Sequence, residues 1–324
     1  MRYVIESMQQ WGRVFTDPDY WRPMIERILE KHDLGDLRQI RAGYPGSNAV
    51  FWVNDTFIVK IFGQAWKEDF DRELELYRHL AAYDSLLVPK VIADGAISAG
   101  QEWKYMVMEG LPGERLGDVW KDMPRDNQLE IGEHLGKIVK QLHSVPVDGI
   151  RSMETSKVVW SQFVQTQMAC CVEHHRTNNS LPEHLLAQIP DYLESASPLF
   201  SGNRFPCIIN SDLTKDHVLL GQVGSHWQIT GIIDFGDVEI GYRDYEFVAL
   251  YLDAFDCDAE VMRTFLQAYD YPNGVDPRFN QRLMAYSILH RYLNFKDVVF
   301  LTERYGDLEG METLEELQRI LWNI

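Results

Sequence analysis

No window of the 324-residue chain approaches the roughly 18 uninterrupted apolar positions of a membrane helix. Its beginning, MRYVIESMQQWGRVF, lacks the basic segment followed by a continuous apolar stretch that marks a secretory leader. The expectation is a cytoplasmic protein. Cysteine is scarce too. The four present, Cys170, Cys171, Cys207 and Cys257, form no CxxC pair, and the adjacent Cys170 and Cys171 are poor disulfide partners. Neither a disulfide framework nor a zinc site is indicated, and buried free thiols are expected. Positive charge is short: 31 Lys+Arg stand against 49 Asp+Glu, a net of −18. Such a chain repels polyanions, so nucleic acid and anionic membrane surfaces are disfavoured as partners. Internal repeats and low-complexity stretches are also missing.

What is present is the composition of a globular protein, 45% hydrophobic and 25% charged, long enough for one large or two modest domains. The acidity is uneven. Residues 1–110 hold 13 Lys+Arg against 17 Asp+Glu, and residues 111–324 hold 18 against 32. The pattern changes at the same place. Before it, Trp21, Ile25, Ile28 and Leu29 predict an amphipathic helix running from Asp17 to Gly35. The runs at 37–40, 49–53, 56–62, 88–95 and 103–109 predict strands, with Asn54-Asp55 as a hairpin turn. A helix at 66–83 interrupts them, carrying Phe70, Leu74, Tyr77 and Leu80 on one stripe. After it, helices are predicted at 127–143, 158–175, 181–194, 243–254, 257–270, 278–295 and 311–322. Only 207–210, 217–220 and 227–235 break them with β-rich composition.

Chemistry concentrates in IINSDLTKDHVLL and GIIDFGDVEIGYRDYEF. Asp212 lies just past one apolar strand, His217 five residues on, and Asp234 past a second strand and before Phe235-Gly236. Two carboxylates from adjacent strand ends suit phosphoryl transfer, where one orients the attacking hydroxyl and another holds Mg²⁺ against the phosphates. The spacing matches a kinase catalytic loop followed by Asp-Phe-Gly. Lys60 sits among Ile and Val in TFIVKIF, where a charge is costly unless paired or in contact with a phosphate, and the next helix supplies Glu73. Ahead of it, Gly43 and Gly46 permit unusual backbone angles, and Ser47-Asn48 are positioned to approach phosphate oxygens. Acids at Asp253, Asp256, Asp258 and Glu260 would attract a cation, or else favour the dipole of the helix at 257–270.

These features together resemble the aminoglycoside phosphotransferase family, small-molecule kinases with the protein-kinase fold. The resemblance runs from Gly43 to Glu246 and rests on GSNAVF, Lys60, Glu73, YMVMEGLPGERL, LGKIVKQLHSVP, NSDLTKDHVLL and IIDFGD. It implies an α+β, two-lobed fold: residues 1–110 as a nucleotide-binding lobe with a small antiparallel sheet and one main helix, and residues 111–324 as a larger, mostly helical lobe with the catalytic loop and acceptor site. It further implies ATP or GTP with Mg²⁺ as cofactors, Asp212 as base, and Asp234 and His217 as metal ligands. Lys60 held by Glu73 would contact phosphates, the backbone of Glu109 and Leu111 would meet adenine, and Ser47 and Asn48 would line the phosphate loop. The acceptor is then a hydroxyl on a small cationic molecule, an aminoglycoside-type antibiotic foremost, with the acidic run 253–260 as its candidate contact. The alternatives are a metabolite kinase for choline, homoserine or a sugar, and a nucleotide-binding pseudokinase. The sequence departs from the family pattern in three places. Asn210 stands for a usual His and His217 for a usual Asn, while Asp244 and Glu246 follow the Asp-Phe-Gly as loop-supporting acids.

Overall fold

The computed structural model describes residues 4–44, 46–150, 156–200, 206–271 and 278–324. The chain divides into two units, Met1–Pro112 and Gly113–Ile324. The fold is mixed α+β, with an antiparallel sheet in the first unit and mostly helix in the second.

In the first unit α1 (Met8–Val14) and α2 (Pro18–Lys31) precede β1 (Ile40–Ala42), β2 (Ala49–Val53) and β3 (Phe57–Ile61). Next come α3 (Asp69–Leu80), β4 (Val91–Ser98) and β5 (Glu102–Glu109). The strands form one antiparallel sheet in the order β1-β2-β3-β5-β4. Helix α2 starts where its chemistry dictates: the Asp17 carboxylate accepts the N–H groups of Asp19 and Tyr20, and Pro18 occupies the first turn. Its apolar stripe of Trp21, Met24, Ile25, Ile28 and Leu29 shares a core with Phe51, Val59, Ile61 and Trp103. Strand alternation sends Val59 and Ile61 into that core and Lys60 to the opposite face. Asn54 and Asp55, both at positive φ, close the β2-β3 turn.

Several predicted boundaries shift. The first strand begins at Ile40, because the N–H groups of Arg38 and Gln39 bond to the Asn54 side chain instead of a strand partner. β4 starts at Val91, just beyond Pro89, and a bulge at Val91/Ala93 carries it on to Ser98. Gly43 and Gly46 are not among the glycines at positive φ. Gly43 is demanded by close approach instead, since a Cβ there would lie 2.8 Å from Val50 Cγ1. Helix α1, whose short pattern carries one buried residue, Trp11, escaped the sequence reading.

The second unit opens with β6 (Glu114–Arg115), α4 (Leu116–Val119), α5 (Arg125–Ser144) and α6 (Ser156–Thr177). The segment predicted as one helix at 181–194 is two, α7 (Glu183–Leu186) and α8 (Ile189–Ala196), with Pro182 as cap of the first and Pro190 in the first turn of the second. Then come β7 (Cys207–Ile209), β8 (Val218–Val223), β9 (His226–Ile232) and β10 (Glu239–Gly241). β7 pairs with β10, while β8 and β9 join β6 in a separate sheet. The strands that deliver Asp212 and Asp234 are therefore not neighbours in one sheet, contrary to the sequence expectation.

Helix α9 (Arg243–Ala249) runs into a wide π turn at Leu250–Ala254, followed by α10 (Ala259–Tyr269), α11 (Phe279–Leu289), α12 (Val299–Tyr305) and α13 (Leu314–Leu321). The predicted helix at 278–295 thus ends at Leu289. Of the thiols, Cys171, Cys207 and Cys257 are buried, but Cys170 is exposed. Among the described residues no helix is long and apolar enough to cross a membrane.

Two glycines let α5 and α10 touch. A Cβ on Gly132 would lie 2.8 Å from Val261 Cγ1, and one on Gly136 only 2.4 Å from the Phe265 carbonyl oxygen. In Gly136→Ala the gain in helix propensity, at most about 1 kcal/mol, opposes an overpacking cost of about 1–3 kcal/mol against immovable backbone. Thermal denaturation should show a lower Tm for the variant, and a raised Tm would mean that the two helices separate freely.

Candidate active site

In the first unit β3 and α3 bring Lys60 and Glu73 together. Lys60 Nζ donates to Glu73 Oε1 at 2.6 Å, and the two side chains are 7% and 1% exposed. A pair so dry costs much of its attraction in desolvation, so it is weak evidence for stability and stronger evidence for a held, directed cation. The loop at 43–48, of which Pro45 lies outside the described residues, is fastened from behind. Trp11 Nε1 donates to Ser47 O at 3.1 Å, and Asn48 Oδ1 accepts from Gly63 N at 3.1 Å. The Asn48 carbonyl group is therefore already engaged, whereas Ser47 is exposed. At the end of β5 the Glu109 N–H bonds to Lys90 O and the Gly110 N–H to Thr56 O. Leu111 follows, half-buried.

In the second unit the loop after β7 is held by three groups. Glu246, wholly buried on α9, accepts the N–H of Asn210 at 2.5 Å and that of Ser211 at 3.4 Å. His290, just past α11, lies with Nε2 at 3.0 Å from Ser211 O and accepts the Tyr292 N–H at Nδ1, so Nε2 carries the hydrogen toward Ser211. Asn210 itself accepts the Asp212 N–H at Oδ1 and donates from Nδ2 to Asp234 O at 2.7 Å. That side chain joins the two acidic segments that no shared sheet joins. Ser211 and Asp234 both sit at positive φ, 70° and 58°, a conformation that persists in non-glycine residues only where the surroundings enforce it.

The loop then turns back so that His217 Nδ1 lies 2.5 Å from Asp212 O and 3.9 Å from its carboxylate. A hydrogen on Nδ1 toward that carbonyl leaves Nε2 as the nitrogen with a free lone pair. Burial pushes the Asp212 carboxyl up to about 7; His217 opposes the rise, and Asp237, Asp234 and Asp253 add to it. Asp234, Asp237 and Asp253 thus add a negative field around Asp212, which attracts a cation. Among the described residues, however, no three His, Cys, Asp or Glu side chains converge as a complete metal cage.

The acidic run proposed for the acceptor is divided. Asp258 and Glu260 are both bonded to Arg125, and Asp258 also caps α10 through the N–H groups of Glu260 and Val261. Asp256 accepts from Lys215 Nζ at 3.2 Å, and Asp253 accepts the Lys215 N–H at 2.8 Å. Burial holds the Asp253 carboxyl above its ordinary value against the pull of Lys215. Of the two loop-supporting acids, Asp244 pairs with buried Arg282 at 2.8 Å and with half-buried Tyr271, while Glu246 clamps the loop as described. Sequence reading missed His290 and also Asp237, which Tyr292 and Arg291 contact. Asp237 carried a signal, as the last residue of IIDFGD; His290 carried none.

A family model described as "APH: Phosphotransferase enzyme family" matches residues 36–279. Among solved structures, the GDP complex of wild-type aminoglycoside 2'-phosphotransferase-IIIa superposes with a TM-score of 0.66 at 20% identity, covering 95% of this chain and 99% of that one. The GDP and kanamycin complex of APH(2")-IIia gives a TM-score of 0.65 at 18% identity, covering 93% and 97%. A curated relative, Lysine-specific demethylase JMJ21 of Arabidopsis thaliana, is 22% identical over 275 residues, which is 68% of this chain. The chain spans only 29% of that protein's length.

The raised Asp212 pKa has a measurable consequence for stability. An acid whose folded pKa lies above its unfolded value destabilises the fold at every pH above the folded value, and the penalty fades as pH falls from about 7 toward 3.8. In a chelator, Asp212→Asn should therefore melt higher than wild type at pH 8, by up to about 4 kcal/mol at roughly 1.4 kcal/mol per unit, with the gain shrinking toward pH 5. Below pH 6.5 the variant should lose stability, because burial pushes His175 and His290 down to about 4 and the fold must then forgo their protons. A pH-independent difference in denaturation midpoint would contradict the assignment.

Proposed function

The chain belongs to the phosphotransferase enzyme family, and from that premise we propose that it transfers the γ-phosphoryl group of ATP or GTP to a hydroxyl of a small cationic molecule. The observation that carries the reading is the Asn210 bridge, which accepts the Asp212 N–H and donates to the Asp234 carbonyl. A binder without chemistry has no use for two carboxylate segments locked to each other at strained backbone angles.

In this reading Asp212 accepts the acceptor's hydroxyl proton. Its carboxyl, pushed up to about 7, is poised for proton transfer near neutral pH. Ser211, gripped through its N–H by Glu246 and through its carbonyl by His290, sets where that carboxylate points. Lys60, steadied by Glu73, contacts the α- and β-phosphates, the Glu109 carbonyl and Leu111 N–H meet the base, and exposed Ser47 faces the phosphates. Asp234 would hold Mg²⁺, with Asp212 and Asp237 adding negative field around it and His217 Nε2 as a further donor. When bound, the ion would neutralise charge developing on the phosphates. The GDP-bound relatives of like fold support a purine nucleotide as donor. Asp256, Asp258 and Glu260 are paired with Lys215 and Arg125, and Asp253, although Lys215 engages it as well, is the one of the four that lines the cavity beside Asp212 and is kept as an acceptor contact.

Two variants test the reading. Asp212→Asn should fold and bind nucleotide while its turnover drops by roughly 10²–10⁴. Asp234→Ala should abolish transfer and weaken MgATP, since no neutral group replaces a carboxylate on the ion. Steady-state rates with a phosphorylated product measured by mass are the readout. Near-wild-type turnover in either variant removes that residue from its role, and nucleotide binding without turnover in the parent would favour the pseudokinase alternative.

For His217 the expected outcome concerns the metal. If Nε2 is a ligand, Mn²⁺ should serve at least as well as Mg²⁺, because imidazole suits transition ions, and His217→Asn should remain active while losing that preference. An unchanged Mn²⁺ to Mg²⁺ ratio of kcat in the variant would leave His217 as a loop hydrogen-bonder only.

A further inference from the structure

Beside Asp212 opens a cavity of about 140 Å³, lined by residues of the second unit alone. Pockets that enclose drug-sized ligands run to about 300–1,000 Å³, so the space enclosed here suits a compact molecule rather than a whole trisaccharide. Part of its wall is hydrocarbon: Val248, Leu252 and Val298 are buried there, with half-buried Leu293 beside them, while Thr214, Tyr292 and Asn294 add polar groups to the lining. An aliphatic portion of a ligand would be favoured on that hydrocarbon part, where a hydroxyl group would go without a partner.

The charge around the cavity has one sign. Asp212, Asp253 and Asp297 line it, and no lysine or arginine does. His290, the only other titratable nitrogen in the wall, is held neutral by burial. Asp253 is engaged by Lys215. Asp297, which follows the turn after α11, is exposed, and its carboxylate has no hydrogen-bond or ion-pair partner among the described residues. A cavity of this size, lined by one carboxylate without a partner among the described residues, by hydrocarbon and by the candidate base, has the complement of a specific kind of molecule.

We propose that the acceptor is a compact amino alcohol, with one ammonium on Asp297, a short aliphatic portion on the Val248, Leu252 and Val298 wall, and its hydroxyl at Asp212, in preference to a polycationic aminoglycoside. The assignment rests on the phosphotransfer reading and narrows its acceptor. In the step, the hydroxyl oxygen forms a bond to the γ-phosphorus as the bond from that phosphorus to the β,γ-bridging oxygen breaks. The electron pair leaves with the nucleoside diphosphate, and the hydroxyl proton goes to the Asp212 carboxylate.

The test offers the full chain, with MgATP and with MgGTP, four acceptors: ethanolamine, leucinol, the amine-free analogue 4-methylpentan-1-ol, and kanamycin. Phosphate ester is followed by ³¹P NMR, and nucleotide hydrolysis alongside. Leucinol should show kcat/KM at least about tenfold above both 4-methylpentan-1-ol and kanamycin. Asp297→Asn should raise KM for leucinol about fivefold, the size expected of one solvent-exposed ion pair, and leave KM for 4-methylpentan-1-ol where it was. Faster transfer to kanamycin than to leucinol, no ester from either amino alcohol, or an Asp297→Asn variant that treats the charged and uncharged alcohols alike overturns the inference. If nucleotide hydrolysis still depends on Asp212 in those cases, phosphotransfer itself stands. If no acceptor is phosphorylated and hydrolysis is indifferent to Asp212→Asn, the phosphotransfer reading fails with it.

Discussion

Glu246 lies wholly out of water and turns one carboxylate oxygen to the N–H groups of Asn210 and Ser211. Backbone donors at a buried loop must be satisfied, and a charged acceptor does so more strongly than a neutral one. Everything at the second unit's site follows from that grip. With Ser211 pinned at φ 70°, its carbonyl meets His290 and the next residue, Asp212, is set in direction. With Asn210 pinned, its side chain reaches both the Asp212 N–H and the Asp234 carbonyl. One buried carboxylate thereby organises two others that belong to different sheets.

The first unit solves a related problem with opposite means. Lys60 is placed by strand alternation on the face away from the Trp21 and Trp103 core, and it would be an unpaired interior cation if α3 did not bring Glu73. The pair is too dry to be kept for stability alone, since well-packed apolar residues commonly do as well. What it secures is position. The aromatic packing of Trp11 against Trp21 and Trp103 does the same for the neighbouring loop, because the Trp11 ring nitrogen is bonded to Ser47.

Charge is distributed by use. The acidic second part of the chain spends many of its carboxylates on its own cations: Asp258 and Glu260 on Arg125, Asp256 on Lys215, Asp244 on Arg282. The carboxylates left around Asp212 are then few, and their mutual repulsion, added to burial, is what lifts its pKa toward neutrality. Stability is lost at that point to keep a carboxyl that titrates near neutrality, the usual relation between a strained site and the fold that holds it.

Local signals were legible wherever the chemistry is local. Alternation and turn residues marked β2 to the residue, β3 to within one residue at each end, and their hairpin, and an isolated Lys in an apolar run announced Lys60 without any knowledge of its partner. The Asp-Phe-Gly stretch and the loop before it identified Asp212 and Asp234 as candidates because their spacing along the chain is itself the constraint. Tertiary structure decided which groups are already spoken for and which remain free. Arg125 reaches Asp258 across 133 positions and His290 reaches Ser211 across 79. The acids at 253–260 read as one patch in the sequence and proved to be divided between two cations, while exposed Asp297, outside that run, has no such partner among the described residues. Hydrogen bonds and ion pairs between distant residues leave no period or spacing in the chain, so only the folded molecule settles them.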